Sequence, residues 1–123
     1  MADAEWGESR RRGDDMYSRL TTLSVQREYI EQGIEIFEKS VVPAARRQVG
    51  YRGMLLLSDK QSGKIVSISF WDRKKSALAN ERNQYYQEQL IKFIAMFAAG
   101  PVREGFDVDV IDFSEDLGSD QRK

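Results

Sequence analysis

The stretch that decides the fold is Gly50-Tyr51-Arg52-Gly53-Met54-Leu55-Leu56-Leu57-Ser58, Asp59-Lys60-Gln61-Ser62-Gly63, then Lys64-Ile65-Val66-Ser67-Ile68-Ser69-Phe70-Trp71. Two apolar runs flank a short polar loop with a glycine near its end, which is the pattern of a β-hairpin. Alternation along the second run sends Val66, Ile68 and Phe70 to one side and Ile65, Ser67, Ser69 and Trp71 to the other. Both faces of this strand therefore carry apolar bulk.

Upstream of the hairpin, residues 16–25 hold Tyr17, Leu20, Thr21, Thr22, Leu23 and Val25, a β-branched and aromatic-rich run suited to a strand. Ile30, Ile34, Phe37 and Val41 then recur at spacings of four, three and four, which puts them on one face of a helix reaching about Gln48. Pro43 lies inside that helix and lacks the N–H its turn needs, so a kink or break is expected near Ser40. Downstream, Tyr86, Leu90, Phe93 and Phe97 repeat the same spacing and predict a second helix that stops at Gly100-Pro101. A last strand is expected over 102–113, with Phe106, Val108 and Val110 on one side and Ile111 and Phe113 on the other.

The order β-α-β-β-α-β with right-handed crossovers gives an α+β, ferredoxin-like fold: a four-stranded antiparallel sheet with two helices on one face. The opposite face stays bare although it carries apolar side chains. Self-association through it, as a homodimer, is the expected way to cover it. Residues 1–15 show no periodicity and read as a flexible N-terminal extension, 16–113 as the folded domain and 114–123 as an acidic C-terminal tail. The run Arg10-Arg11-Arg12 is flanked by Glu8, Asp14 and Asp15 and reads as part of a solvated tail.

A chain of 123 residues supports one modest core. Lys plus Arg number 19 against 20 for Asp plus Glu, and the net charge of -1 offers no long-range field for nucleic acid or an anionic membrane. A small molecule or another protein is the expected partner. The sequence contains neither cysteine nor histidine. Those absences exclude disulfides, thiolate metal sites, the usual Ser-His and Cys-His catalytic arrangements and haem ligation by His or Cys. No apolar run approaches the roughly 20 residues a membrane helix needs, and a cytoplasmic location is expected.

The segment Gly50-Tyr51-Arg52-Gly53-Met54-Leu55-Leu56-Leu57, the turn Ser62-Gly63-Lys64, the run Ser67-Ile68-Ser69-Phe70-Trp71-Asp72 and Pro43 in a Val-Pro-Ala-Ala context resemble the antibiotic biosynthesis monooxygenase family of dimeric α/β-barrel proteins. The resemblance covers about 16–113. It implies a monooxygenase that acts on a small aromatic phenol, quinol or polyketide-like substrate without metal or flavin, or a non-catalytic ligand-binding or dimerisation module. The family's third-strand tryptophan matches Trp71, the implied catalytic residue. Its cofactor-free oxygenases place an asparagine four residues earlier, where this chain has Ser67, and its haem-degrading branch requires a histidine that this chain lacks.

Trp71 admits two readings: an indole N–H and ring face for a ligand, or a core or interface tryptophan. Ser67 and Ser69 share its face and leave space beside it. Tyr51, Arg19 and Tyr85 complete the substrate-binding candidates, with an arginine or phenol suited to hold a developing anion. Asn80 and Asn83 are placed at the rim of the cleft, and Tyr86 in the core. No metal site is expected, because strand alternation separates Asp107 and Asp109 from Asp112.

Overall fold

The computed structural model describes residues 16–82 and 84–118, without the side chains of Asn80, Glu81 and Tyr85. The 1–15 extension with its three arginines, Asn83 and the last five residues of the tail lie outside the described residues.

Four strands, β1 (Tyr17–Val25), β2 (Tyr51–Asp59), β3 (Lys64–Trp71) and β4 (Phe97–Asp107), form one sheet in the order β2-β3-β1-β4. Every neighbouring pair is antiparallel. This is the ferredoxin-like arrangement, and the hairpin forms as its sequence predicts. The turn is closed by Gly63, whose N–H donates to the Asp59 carbonyl at 2.9 Å and whose φ of 83° lies in the left-handed region. A Cβ at Gly63 would collide with the backbone carbonyl of Val25, so only glycine fits.

The first helical segment is composite. A 3-10 turn at Arg27–Tyr29 leads into α1 (Ile30–Ile36), a π turn (Phe37–Val41) and α2 (Val42–Arg46). The Val42 N–H donates to the Phe37 carbonyl, one residue further back than in an α-helix. Pro43 follows at once and has no N–H for the carbonyl of Lys39, so the helix widens by one residue instead of breaking. The disturbance expected near Ser40 is thus a π turn.

The second helical segment is shorter than its periodicity predicts. It consists of α3 (Lys74–Arg82) and α4 (Tyr85–Ile91), with Gln84 between them at a left-handed φ of 70°, and a 3-10 turn at Ile94–Met96. The expected boundary at Gly100-Pro101 is incorrect, because β4 already begins at Phe97, paired with Val25. The register between β1 and β4 shifts between Thr22 and Ser24, which lets Gly100 and Pro101 pass on an edge strand that tolerates a missing N–H. The far end is also corrected: β4 stops at Asp107 opposite Tyr17, where β1 begins, and past it the Val108 N–H still donates to the Met16 carbonyl at 3.2 Å, but 109–113 have no strand beside them to continue the ladder.

The two helical segments cover one face of the sheet. Leu23, Val25 and Ile65 from the strands pack with Ile30, Phe37 and Val41 from the first segment and Phe93 and Met96 from the second. Register places Leu20, Leu55, Val66, Ile68, Phe70, Val102 and Phe106 on the opposite face, and Leu57, Val102 and Phe106 are about half exposed. Ile111, Phe113 and Leu117 border a groove with Met16, Leu55 and Phe70. Among the described residues no helix is long and apolar enough to cross a membrane.

Candidate functional site

Antiparallel register arranges the helix-facing side chains in rows that run across all four strands. Leu56, Ser67, Thr21 and Arg103 make one row, and Met54, Ser69, Arg19 and Gly105 the next. Tyr51, Trp71, Tyr17 and Asp107 make the third. Alternation therefore sends Ser67, Ser69 and Trp71 under the helices together.

A cavity of about 70 Å³ lies between these rows and the helices. Toward Leu23 and Ile65 its wall is apolar, completed by Phe37, Val41 and Phe93, which also belong to the core. The other end carries Ser67, Ser69, Thr21, Trp71, Gln89 and Arg103, with Tyr86 beside them. Oxygen and nitrogen donors thus meet at one end of an otherwise greasy slot, the usual build of a small-molecule site.

Trp71 is 2% exposed and looks onto the helix side. Its indole N–H donates to the Ser69 hydroxyl at 2.9 Å. The Tyr51 ring meets the indole edge-to-face, with centroids 5.9 Å apart and planes at 79°, a favoured aromatic geometry. Tyr17 and Ala77 complete this second cluster, and the Lys74 ammonium sits 5.6 Å from the Tyr17 ring centre. The tryptophan is consequently fixed on several sides, one of them polar.

Arg103 is the site residue that strand and helix patterns did not bring forward. Its Nη1 donates to Thr21 Oγ1 at 2.7 Å, and its guanidinium carbon lies 3.8 Å from the Tyr86 ring centre. These contacts hold the guanidinium at the wall of the cavity. Alternation between Val102 and Glu104 puts Arg103 on the helix face, but only the β1–β4 register reveals that it stands beside Thr21. Gln89 was missed for a similar reason, since it flanks the apolar stripe of its helix.

The remaining candidates are distributed as follows. Arg19 lies one row from Arg103 and leans over Gly105, where a Cβ would sit 2.6 Å from its Nη1. Tyr51 acts on Trp71 and does not line the cavity. Tyr86, expected in the core, is half-buried and lines the cavity with Arg103. The side chains of Tyr85 and Asn80, and Asn83 as a whole, lie outside the described part of the chain.

No described residue lining the cavity is a carboxylate, and among the described residues no group of three His, Cys, Asp or Glu is placed to hold a metal. Chemically the pocket offers a fixed cation, several hydroxyls and an aromatic wall. It suits a small ligand with one polar edge.

No family model matches the chain. Uncharacterized protein Rv2557 of Mycobacterium tuberculosis is 35% identical over 65 residues, which are 53% of this chain and 29% of that protein. The chain thus spans less than a third of the length of this relative. Among solved structures, the monooxygenase from the gene ActVA-Orf6 of Streptomyces coelicolor, in complex with nanaomycin D, superposes with a TM-score of 0.65 at 11% identity, over 80% of this chain and 92% of that one. SnoaB, a cofactor-independent oxygenase from Streptomyces nogalater, gives 0.59 at 14% identity, over 75% and 91%. A Caulobacter crescentus protein assigned to the antibiotic biosynthesis monooxygenases gives 0.64 at 16%, over 81% and 95%. The chain has the fold of the antibiotic biosynthesis monooxygenase-like proteins.

Proposed function

We propose that this protein is a cofactor-independent monooxygenase of a small aromatic phenol. The observation that carries the reading is the cavity beneath the helices, where Trp71, Ser67 and Ser69 meet the guanidinium of Arg103. The fold shared with cofactor-independent oxygenases supports it.

In the proposed reaction a phenol with an open para carbon is bound as its phenolate. The anion supplies the electrons for dioxygen, one oxygen atom enters the ring to give a quinone, and the other leaves as water. Phenol plus dioxygen equals quinone plus water, so no external reductant is required. Arg103 opposes the anionic charge, and the apolar walls exclude bulk water and strengthen that interaction. Trp71 covers the ring, with Ser69 held against it.

Oxygen-electrode traces with a panel of monocyclic phenols, followed by labelled dioxygen, test the reading. The expected result is uptake with one labelled atom in the quinone; no uptake above the protein-free control across the panel overturns it. A second reading, a binding module without turnover, is favoured by the engagement of the Trp71 N–H with Ser69. Ligand-dependent stabilisation without oxygen consumption is its signature.

For either reading we propose that two copies pair through the open sheet face. The half-exposed Leu57, Val102 and Phe106 support this arrangement.

A further inference from the structure

Gln89 lines the cavity, and Lys92, one turn further along the second helical segment, does not. The Lys92 Nζ donates to Gln89 Oε1 at 3.1 Å and also to Ser40 Oγ, in the π turn of the first helical segment. An ammonium has only hydrogens to give, so the atom of Gln89 that meets it is the oxygen. The amide nitrogen, with its two hydrogens, is what Gln89 has left for the cavity. Lys92, exposed and tied across to the other helical segment, thereby fixes which way round the amide stands.

Two buried hydroxyls on the sheet side are in the same position. Ser69 Oγ accepts from the Trp71 indole N–H, and Thr21 Oγ1 accepts from an N–H of Arg103. Neither an indole N–H nor a guanidinium can accept in return, so each hydroxyl keeps its own proton to give. Accepting a bond also polarises it toward giving one. The two stand in adjacent rows of neighbouring strands and line the same space as Gln89. Acceptors are scarce there: no described lining residue is a carboxylate, and the side-chain carbonyl of Gln89 is already taken by Lys92. The hydroxyls of Ser67 and Tyr86 can turn either way.

We propose that Thr21, Ser69 and Gln89 form a donor array for an oxygen that carries no hydrogen, the C=O of an uncharged carbonyl compound such as a ketone, and that Lys92 is the positioning residue that turns the Gln89 amide toward it. The space is about 70 Å³, less than half of the roughly 150 Å³ that holds benzene. It takes the carbonyl and the few atoms next to it, and the remainder of the ligand points out of the open side. A hydroxyl or an amine would bring hydrogens with few acceptors to receive them, and a buried donor left unpaired weakens binding. The inference rests, like the proposed function, on the cavity being the ligand site. It goes beyond that reading by naming a ligand that need be neither a phenol nor turned over.

Nuclear magnetic resonance titration of the full chain, followed on the Trp71 indole N–H, tests it with 2-pentanone, 2-pentanol and 2-aminopentane, three linear probes of one length. The ketone is expected to bind at least about tenfold more tightly than the alcohol, the scale of one hydrogen bond, and the amine to give no saturable shift. Gln89→Glu puts an acceptor in place of the donor and should abolish the preference. Lys92→Met releases the amide and should shrink the preference at least about threefold, with Lys92→Arg restoring it. A lysine with a merely structural role would change both affinities alike and leave their ratio. No saturable binding of the ketone, equal affinity for ketone and alcohol, or a ratio unchanged in Gln89→Glu or in Lys92→Met overturns the inference. Ketone selectivity in a protein that consumes no oxygen with any phenol refutes the oxygenase and leaves the inference standing, whereas oxygen uptake without that selectivity does the reverse.

Discussion

Trp71 and Ser69, two residues apart on β3 and both buried, are joined by a 2.9 Å hydrogen bond in which the indole N–H donates to the hydroxyl. Having accepted that bond, Ser69 still has a proton of its own to give. The pair therefore presents the cavity with a hydroxyl donor held in place by the indole.

Ser69→Ala leaves the buried indole N–H without its acceptor and should cost about 1–3 kcal/mol of stability. In a Trp71→Phe background the same serine change should cost less, by about 1 kcal/mol, since no donor is left stranded. Denaturant unfolding of the two single variants and the double variant measures the coupling. Simple additivity would sink the claim that the bond matters.

Gly105 is held to glycine by its neighbours across the sheet, because a Cβ there would run into Tyr17 Oη and Arg19 Nη1. Gly105→Val should displace both and, through Tyr17, disturb the cluster around Trp71, at a cost of about 1–3 kcal/mol. Gly100, on the same strand, faces open space, and a Cβ added to it would meet nothing within 4 Å. Gly100→Ala should accordingly stay within about 0.5 kcal/mol of the parent. Thermal melts of the two variants separate crowding from a general intolerance of β4.

The paired-sheet arrangement predicts that Phe106→Asp gives a monomer, because the charge would be buried against apolar side chains in the assembly. Light scattering at micromolar concentration should report twice the chain mass for the parent and once for the variant. A monomeric parent would refute the arrangement.

Glu35 and Lys39 pair one turn apart at 2.9 Å on the exposed face of the first helical segment. The hydrogen bond and charge of Lys39 hold the Glu35 carboxyl below its usual range, and the same contacts from Glu35 raise Lys39. The Glu35 contribution is present above its unfolded pKa and lost as pH falls through the lowered folded value. The Lys39 contribution is present below its unfolded pKa and lost as pH rises through the raised folded one. Glu35→Gln should thus lower the melting temperature slightly at neutral pH and low salt, with no effect in strong acid or at about 1 M salt. A deficit that persists in acid would show that the charge pair is not its cause.

The sheet and its hairpin were legible because their signals are local: alternation within β3 grouped Ser67, Ser69 and Trp71 before any partner strand was known. Phe97 shows where local reading fails, since it satisfies both a helical stripe and the start of a strand. Pairing with Val25, far away in the chain, decides in favour of the strand. The same non-local register places Arg103 beside Thr21, which no spacing within either strand encodes. Gln84, polar and without a glycine's freedom, gives no warning of the left-handed turn that divides the second helical segment.

The Thr21–Arg103 contact spans 82 positions of the chain. β1 sits in the middle of the sheet but receives its last neighbour only when β4 has been made, so an unfinished chain leaving the ribosome has the tryptophan and its serine before it has the cation. Closing so long a loop slows folding, and a molecule that touches both Thr21 and Arg103 fastens the earliest strand to the latest. Ligands of this site should accordingly act as clamps on the entire domain, raising its melting temperature with concentration.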